Sequence, residues 1–111
     1  MARRALSEQD YLVLVTLSAQ PLHGYAVTHQ IKELTSGAIA LSPGALYKAL
    51  VRMLGDGWIE IAGEEIVKSR LRRNYQLTDN GREVLVEETR RRNAVQKKVR
   101  QRLGAPALGG S

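Results

Sequence analysis

Apolar side chains recur along this chain in blocks whose spacing changes from one block to the next, and each change marks a new element. Tyr11 to Val15 form an almost unbroken apolar run with Leu17 beyond it, opened by Ser7 and Asp10 at the spacing of a capping box. The run predicts a helix over 7–19. Being apolar nearly all round, that helix needs partners on more than one side, which in so small a chain hints at a second subunit. A buried strand is the rival reading, given Val13 and Val15. Pro21 breaks the pattern. After His23 and Gly24, the residues Val27, Ile31 and Leu34 return at the spacing of an amphipathic helix that ends near Ser36 and Gly37.

The next block runs from Ser42 to Gly57. Ser42 is a good N-cap, and Pro43 at the first helical position loses no hydrogen bond. Leu46, Leu50, Met53 and Leu54 gather on one side of the predicted helix, while Gly44, Lys48, Val51 and Arg52 project from the other. Gly55 and Gly57 are expected to stop it. Two helices joined by Gly37 to Leu41 fit a helix-turn-helix whose second member has a cationic face.

The period then falls to two. Trp58 to Ala62 and Arg73 to Leu77 alternate like half-buried strands, so a hairpin is implied. Gly63 through Arg72 is too long for a tight turn and too polar to pack, and is expected to project as a mobile loop, the shape of a wing. Thr78 and Asp79 can cap a last helix, although Asn80-Gly81 in isolation would suit a hairpin turn. Running to Leu103, this helix would be about 39 Å long, far more than the domain beside it requires. Its extra length needs a partner. Val84, Leu85, Val95, Val99 and Leu103 share a stripe on it, but Glu88, Arg91, Arg92 and Arg102 interrupt the stripe, so the expected interface is patchy and not a heptad seam. The fold class expected is mainly α (α+β): a winged helix-turn-helix over 1–78, a C-terminal dimerisation helix over 79–103 and a disordered tail over 104–111.

At 111 residues the chain suits one domain that hides roughly two thirds of its unfolded surface, so any sensing must share the core or an interface. It has no cysteine, which removes disulfides, thiolate nucleophiles and cysteine metal sites and fits a cytoplasmic address. No apolar run approaches the ~18 residues needed to cross a bilayer, and no signal-peptide region opens the sequence, so a soluble protein is expected. The net charge of +6 and pI near 10.1 favour a polyanionic partner. The surplus is local: residues 1–60 are neutral, 61–78 hold Glu64 and Glu65 against Lys68, Arg70, Arg72 and Arg73, and 79–111 add a further +4. The seven cations beyond residue 89 read mainly as a solvated helix face.

Catalysis finds little support. His23 and His29 lie six apart, with no nucleophile motif, Gly-rich phosphate loop or His-Glu-x-x-His spacing. His29 and Glu33 read as a surface pair. No enzyme activity, cofactor or metal is expected. A DNA groove suits the residues better, because a major groove accepts an α helix whose amino end reaches base edges while cations hold the backbone. Ser42, Gly44 and Lys48 are placed for this. Gly44 and Ala45 are small enough for close approach, Lys48 or Arg52 could pair with phosphate or guanine, and the Tyr47 ring can pack while its hydroxyl reaches a phosphate. Lys68, Arg70, Arg72 and Arg73 could follow the minor groove or its phosphates. Because Glu64 and Glu65 would repel phosphates, the contact is expected from the base of the wing and not its tip.

Short words in the sequence narrow this arrangement. Gly24-Tyr25 opens the second helix, Leu46-Tyr47 with Leu50 lies in the third, Asp56-Gly57 ends it, and Tyr75-Gln76-Leu77-Thr78 leads to Gly81-Arg82. Over about 6–103 the chain resembles the PadR family of transcriptional regulators. It departs from the family where a hydroxyl residue often stands at Ala45 and a second aromatic at Asn74. The resemblance implies a backbone contact by Tyr25, and a homodimer in which each C-terminal helix packs on the partner. It also implies a repressor released by a small aromatic or drug-like ligand, in the short branch with one terminal helix and no added domain. The dimer interface expected takes Tyr11, Leu12 and Val15 from the first helix with Val84, Leu85, Val95, Val99 and Leu103 from the last. A winged-helix adaptor binding an acidic protein is the alternative of another class, and MarR-like or ArsR-like winged helices are the rivals within DNA binding.

Overall fold

Each helix among the described residues, 5–104 of a computed structural model, begins at a side chain that accepts a backbone N–H. In chain order the elements are α1 (Glu8–Leu17), β1 (Leu22–His23), α2 (Gly24–Leu34), α3 (Pro43–Asp56), β2 (Ile59–Val67), β3 (Arg70–Leu77) and α4 (Asp79–Leu103). Ser7, His23, Ser42 and Thr78 are the caps, accepting from the N–H groups of Asp10, Ala26, Ala45 and Gly81. The Ser and Thr caps contribute about 1 kcal/mol each. The strands form one antiparallel sheet in the order β1-β3-β2. This is an α+β winged helix-turn-helix.

The core gathers where the helices meet the base of the sheet. Val13, Leu14, Val27, Ile31 and Met53 have no exposed surface, and Leu46, Leu50, Ile59 and Val84 close around them. α1 lies against α2, β3 and α4. That surrounding accounts for its apolar run without a second subunit: Leu12, Val13 and Leu14 are buried within the chain itself. The strand alternative for this segment is overturned, and so is the expectation that Leu12 offers a free face to a partner. Val84 is likewise core.

α3 passes through Gly55 and stops at Gly57, whose φ of 76° completes the left-handed cap. β1, which the sequence reading lacked, pairs Leu22 with Tyr75 and His23 with Asn74. The wing also differs from expectation. Its strands continue to Val67 and Arg70, and the turn is the pair Lys68-Ser69, with φ of 51° and 64°. Residues 63–72 are therefore a ladder and not a loose loop: Glu64 and Glu65 stand opposite Arg73 and Arg72, and Glu64 lies 3.7 Å from Arg73. The acids sit mid-strand and the tip is cationic, which reverses the assignment of the tip as repulsive.

Asn80-Gly81 belongs to the first turn of α4. A Cβ on Gly81 would lie 1.8 Å from the Trp58 carbonyl oxygen, so a bare Cα is what lets α4 start against the beginning of the wing. Thr78 secures the same corner, its hydroxyl donating to the Gly57 carbonyl at 2.6 Å and its N–H to that of Trp58 at 3.1 Å. Farther along, α4 leaves the domain, and residues 93–104 are exposed at every position. Gly104 caps α4, and the remainder of the tail expected at 104–111 lies outside the described residues. No helix among the described residues is long and apolar enough to cross a membrane.

Candidate nucleic-acid interface

The amino end of α3, the start of α2 and the inner side of the wing enclose an open cleft of about 870 Å³. Its lining includes Tyr25, Tyr47, Lys68, Arg70, Arg72 and Arg73, and no aspartate or glutamate. Cations around an apolar floor make a surface that attracts a polyanion and can still exclude water from it.

α3 presents its amino end outward because Leu46, Ala49, Leu50 and Met53 are drawn into the core on the opposite side. Gly44, Lys48 and Val51 are exposed. Nothing lies within 4 Å of where a Gly44 Cβ would be, so packing does not demand a glycine there. Ser42 spends its oxygen lone pair on the Ala45 N–H at 3.1 Å and keeps its own hydrogen to donate. Ala45 turns half inward against the core. Tyr47 is 66% exposed and Tyr25 79%, so neither ring is a packing residue, and among the described residues Tyr25 stacks on His23, with centroids 6.3 Å apart.

Arg52 departs from this group. Its Nη2 donates to Asp10 Oδ1 at 2.5 Å, and that carboxylate is nearly buried beneath it. The pair ties α3 to α1 on the side away from the cleft. Of the wing cations, Lys68 in the turn and Arg70 beside it stand in the open, Arg73 lies 3.7 Å from Glu64, and Arg72 is half-buried near His23. Burial and the Arg72 charge hold the His23 imidazole below its usual pKa, against a smaller opposing effect of Glu65. The neutral ring is also what capping requires, because Nδ1 accepts from Ala26 at 3.3 Å. His23 went unnoticed as a cap because histidine is not among the residues that usually mark a helix start.

The stripe expected for a dimer divides into two parts. Leu12 and Val84 are internal, Tyr11, Val15 and Leu85 are half-buried, and Val95, Val99 and Leu103 stand 41% to 65% exposed on the free length of α4. Where the parts meet, Arg92 lies 3.9 Å over the Tyr11 ring and reaches Glu8 and Glu88, while the Tyr11 hydroxyl bonds Thr89 at 2.8 Å. Glu88 is buried among these groups. Burial alone would raise its pKa, but Arg91, the Leu6 backbone and Arg92 outweigh that and hold it lowered. His29 and Glu33 form an exposed pair at 2.6 Å. No group of three or more metal-ligating side chains occurs among the described residues.

Residues 13–87 match the model of the Transcriptional regulator PadR-like family. A Mycobacterium tuberculosis protein named Transcriptional regulator Rv3488 is 35% identical over 83 residues, which is 75% of this chain and 71% of that one. Among solved structures, a PadR family transcription regulator from Clostridium difficile shares the fold with a TM-score of 0.76 at 24% identity, covering 87% of this chain and 99% of its own. Bacillus subtilis PadR, solved in complex with operator DNA, has a TM-score of 0.65 at 25% identity, over 72% of this chain and 45% of its own.

Proposed function

Because this chain belongs to the PadR-like family of transcriptional regulators, which are regulators and not enzymes, we propose that it is a sequence-specific repressor. It acts as a cytoplasmic homodimer on an inverted-repeat operator. The observation that carries this reading is the cleft: exposed tyrosines and cations from three elements, with no acid among them, around the free amino end of a helix. The operator complex solved for Bacillus subtilis PadR supports the same use of the fold.

In this reading α3 enters the major groove with Gly44 closest to the bases and Lys48 on a phosphate or a guanine edge. The Ser42, Tyr25 and Tyr47 hydroxyls hold phosphates on either side. Lys68, Arg70, Arg72 and Arg73 grip the flanking backbone. Arg52 is left out because Asp10 already occupies it, and Ala45 contributes smallness and not a contact. The exposed Val95, Val99 and Leu103 of α4 pair with a second copy, helped at their base by Tyr11, Val15 and Leu85. A small aromatic or drug-like inducer would act by favouring a different separation of the two α3 helices, since a ligand shifts an equilibrium only through unequal affinity for its states.

Titrating the protein onto its preferred duplex and onto a scrambled one across a range of salt tests this. Specific binding gives an ordered preference and a steep fall with salt, and Lys48→Ala or Arg70→Ala lowers the salt slope by about 1 each if the side chain holds a phosphate. Equal, weak binding to both duplexes would favour the adaptor reading instead.

A further inference from the structure

Ile66 and Leu71 stand directly opposite each other in the wing, one residue back from the Val67 and Arg70 that flank the turn. Side chains paired in antiparallel register share a face of the ladder. They are 76% and 59% exposed, in a hairpin whose other side chains from Glu64 to Arg73, Val67 apart, are polar or charged. The core uses neither of them.

Their surroundings indicate what covers them. Below the pair on the same face lies Glu64 with Arg73, and beyond it come Val67 opposite Arg70 and then the Lys68-Ser69 turn. The end of the wing is thus an apolar point with cations beside it and its acids set back against arginines. A minor groove is about 6 Å wide, too narrow for a helix but open to a hairpin tip. Proteins that use this groove set apolar side chains against base steps while cations hold the phosphates beside them.

We propose that the Ile66–Leu71 pair is a wedge that enters the minor groove flanking the half-site read by α3, with Lys68 and Arg70 on the phosphates to either side. The inference rests on the operator-binding reading above and adds to it a source of specificity. Because the wedge must part or bend a base step, it favours flexible pyrimidine–purine steps at that position over a stiff A-tract. The flank is selected by deformability, without a hydrogen bond to a base.

The test compares the wild type, the double variant Ile66→Ala/Leu71→Ala and Lys48→Ala on one selected duplex labelled at both ends. Both wedge residues are exposed and outside the core, so the double variant loses only their cross-strand contact and stays folded, with a melting temperature lowered by a few degrees at most. Its affinity falls at least about tenfold, as expected for uncovering two branched side chains. Its salt slope is unchanged because no charge is lost, and end-to-end energy transfer reports a straighter duplex. Replacing a flanking TA step by an A-tract weakens the wild type and leaves the double variant unaffected. Wild-type affinity and bend in the double variant, beside weakened Lys48→Ala, would overturn the wedge and leave the operator reading standing. A wild type that prefers no duplex would remove the operator reading itself. A double variant that changes only its oligomeric state would make the pair a subunit contact and equally overturn the proposal.

Discussion

Arg52 Nη2 meets Asp10 Oδ1 at 2.5 Å, joining α3 to α1 across 42 positions of sequence. Asp10 is only 8% exposed, while the Arg52 side chain is 45% exposed, so solvent screens one side of the pair. Asp10→Ala is expected to cost about 1–2 kcal/mol, below the loss for a fully buried pair. Urea unfolding measures it. Arg52→Ala should lower stability by a similar amount yet leave the salt slope of operator binding unchanged, unlike Lys48→Ala.

Two glycines separate packing from function. Gly81→Ala drives a methyl into the Trp58 carbonyl, and should destabilise by about 3 kcal/mol or more, at the upper end of overpacking. Gly44→Ala meets open space and should leave stability unchanged or raise it by up to about 1 kcal/mol. It nevertheless weakens operator binding by holding the helix away from the bases. Thermal melts and operator titrations of the two variants give opposite orders.

The turn of the wing holds two non-glycine residues at positive φ, Lys68 and Ser69. Ser69→Gly relieves one of them and should stabilise the protein by about 1 kcal/mol. Operator affinity should stay the same, because Lys68 and Arg70 keep their charge and register.

His23 and Glu88 set the pH dependence. The His23 pKa is lowered in the fold, so the unfolded chain binds its proton first, and stability falls as pH drops below about 6.5. His23→Asn keeps a capping oxygen without a titrating group and should remove that slope between pH 5.5 and 7. The Glu88 pKa is also lowered, so its contribution is present above the ordinary carboxylate range and lost as pH falls through the folded value. Glu88→Gln should lose stability at neutral pH and be less sensitive to acid. Urea midpoints across the pH range check both signs.

The helix order, the face of α3 and the wing's position were legible because they follow from apolar period and caps, signals local to each segment. Ser42-Pro43 announces α3, and Thr78-Asp79 announces α4, just as the caps were formed. The two-residue wing turn was hidden because Lys68-Ser69 lacks the Asn-Gly chemistry that usually marks one. β1 is only Leu22–His23, too short to show a period. Arg52 looked free because its partner lies in another helix, and α1 looked in need of a second subunit because its three neighbours become adjacent only on folding. Contacts between distant segments leave no mark in spacing.

Selecting bound duplexes from a random pool tests the central claim most directly. A dimer presenting two α3 helices should enrich an inverted repeat whose half-site centres are about 10–10.5 base pairs apart or a multiple of that, with two protomers on each duplex. Enrichment of no sequence, or of a single undivided site bound by one protomer, would contradict it.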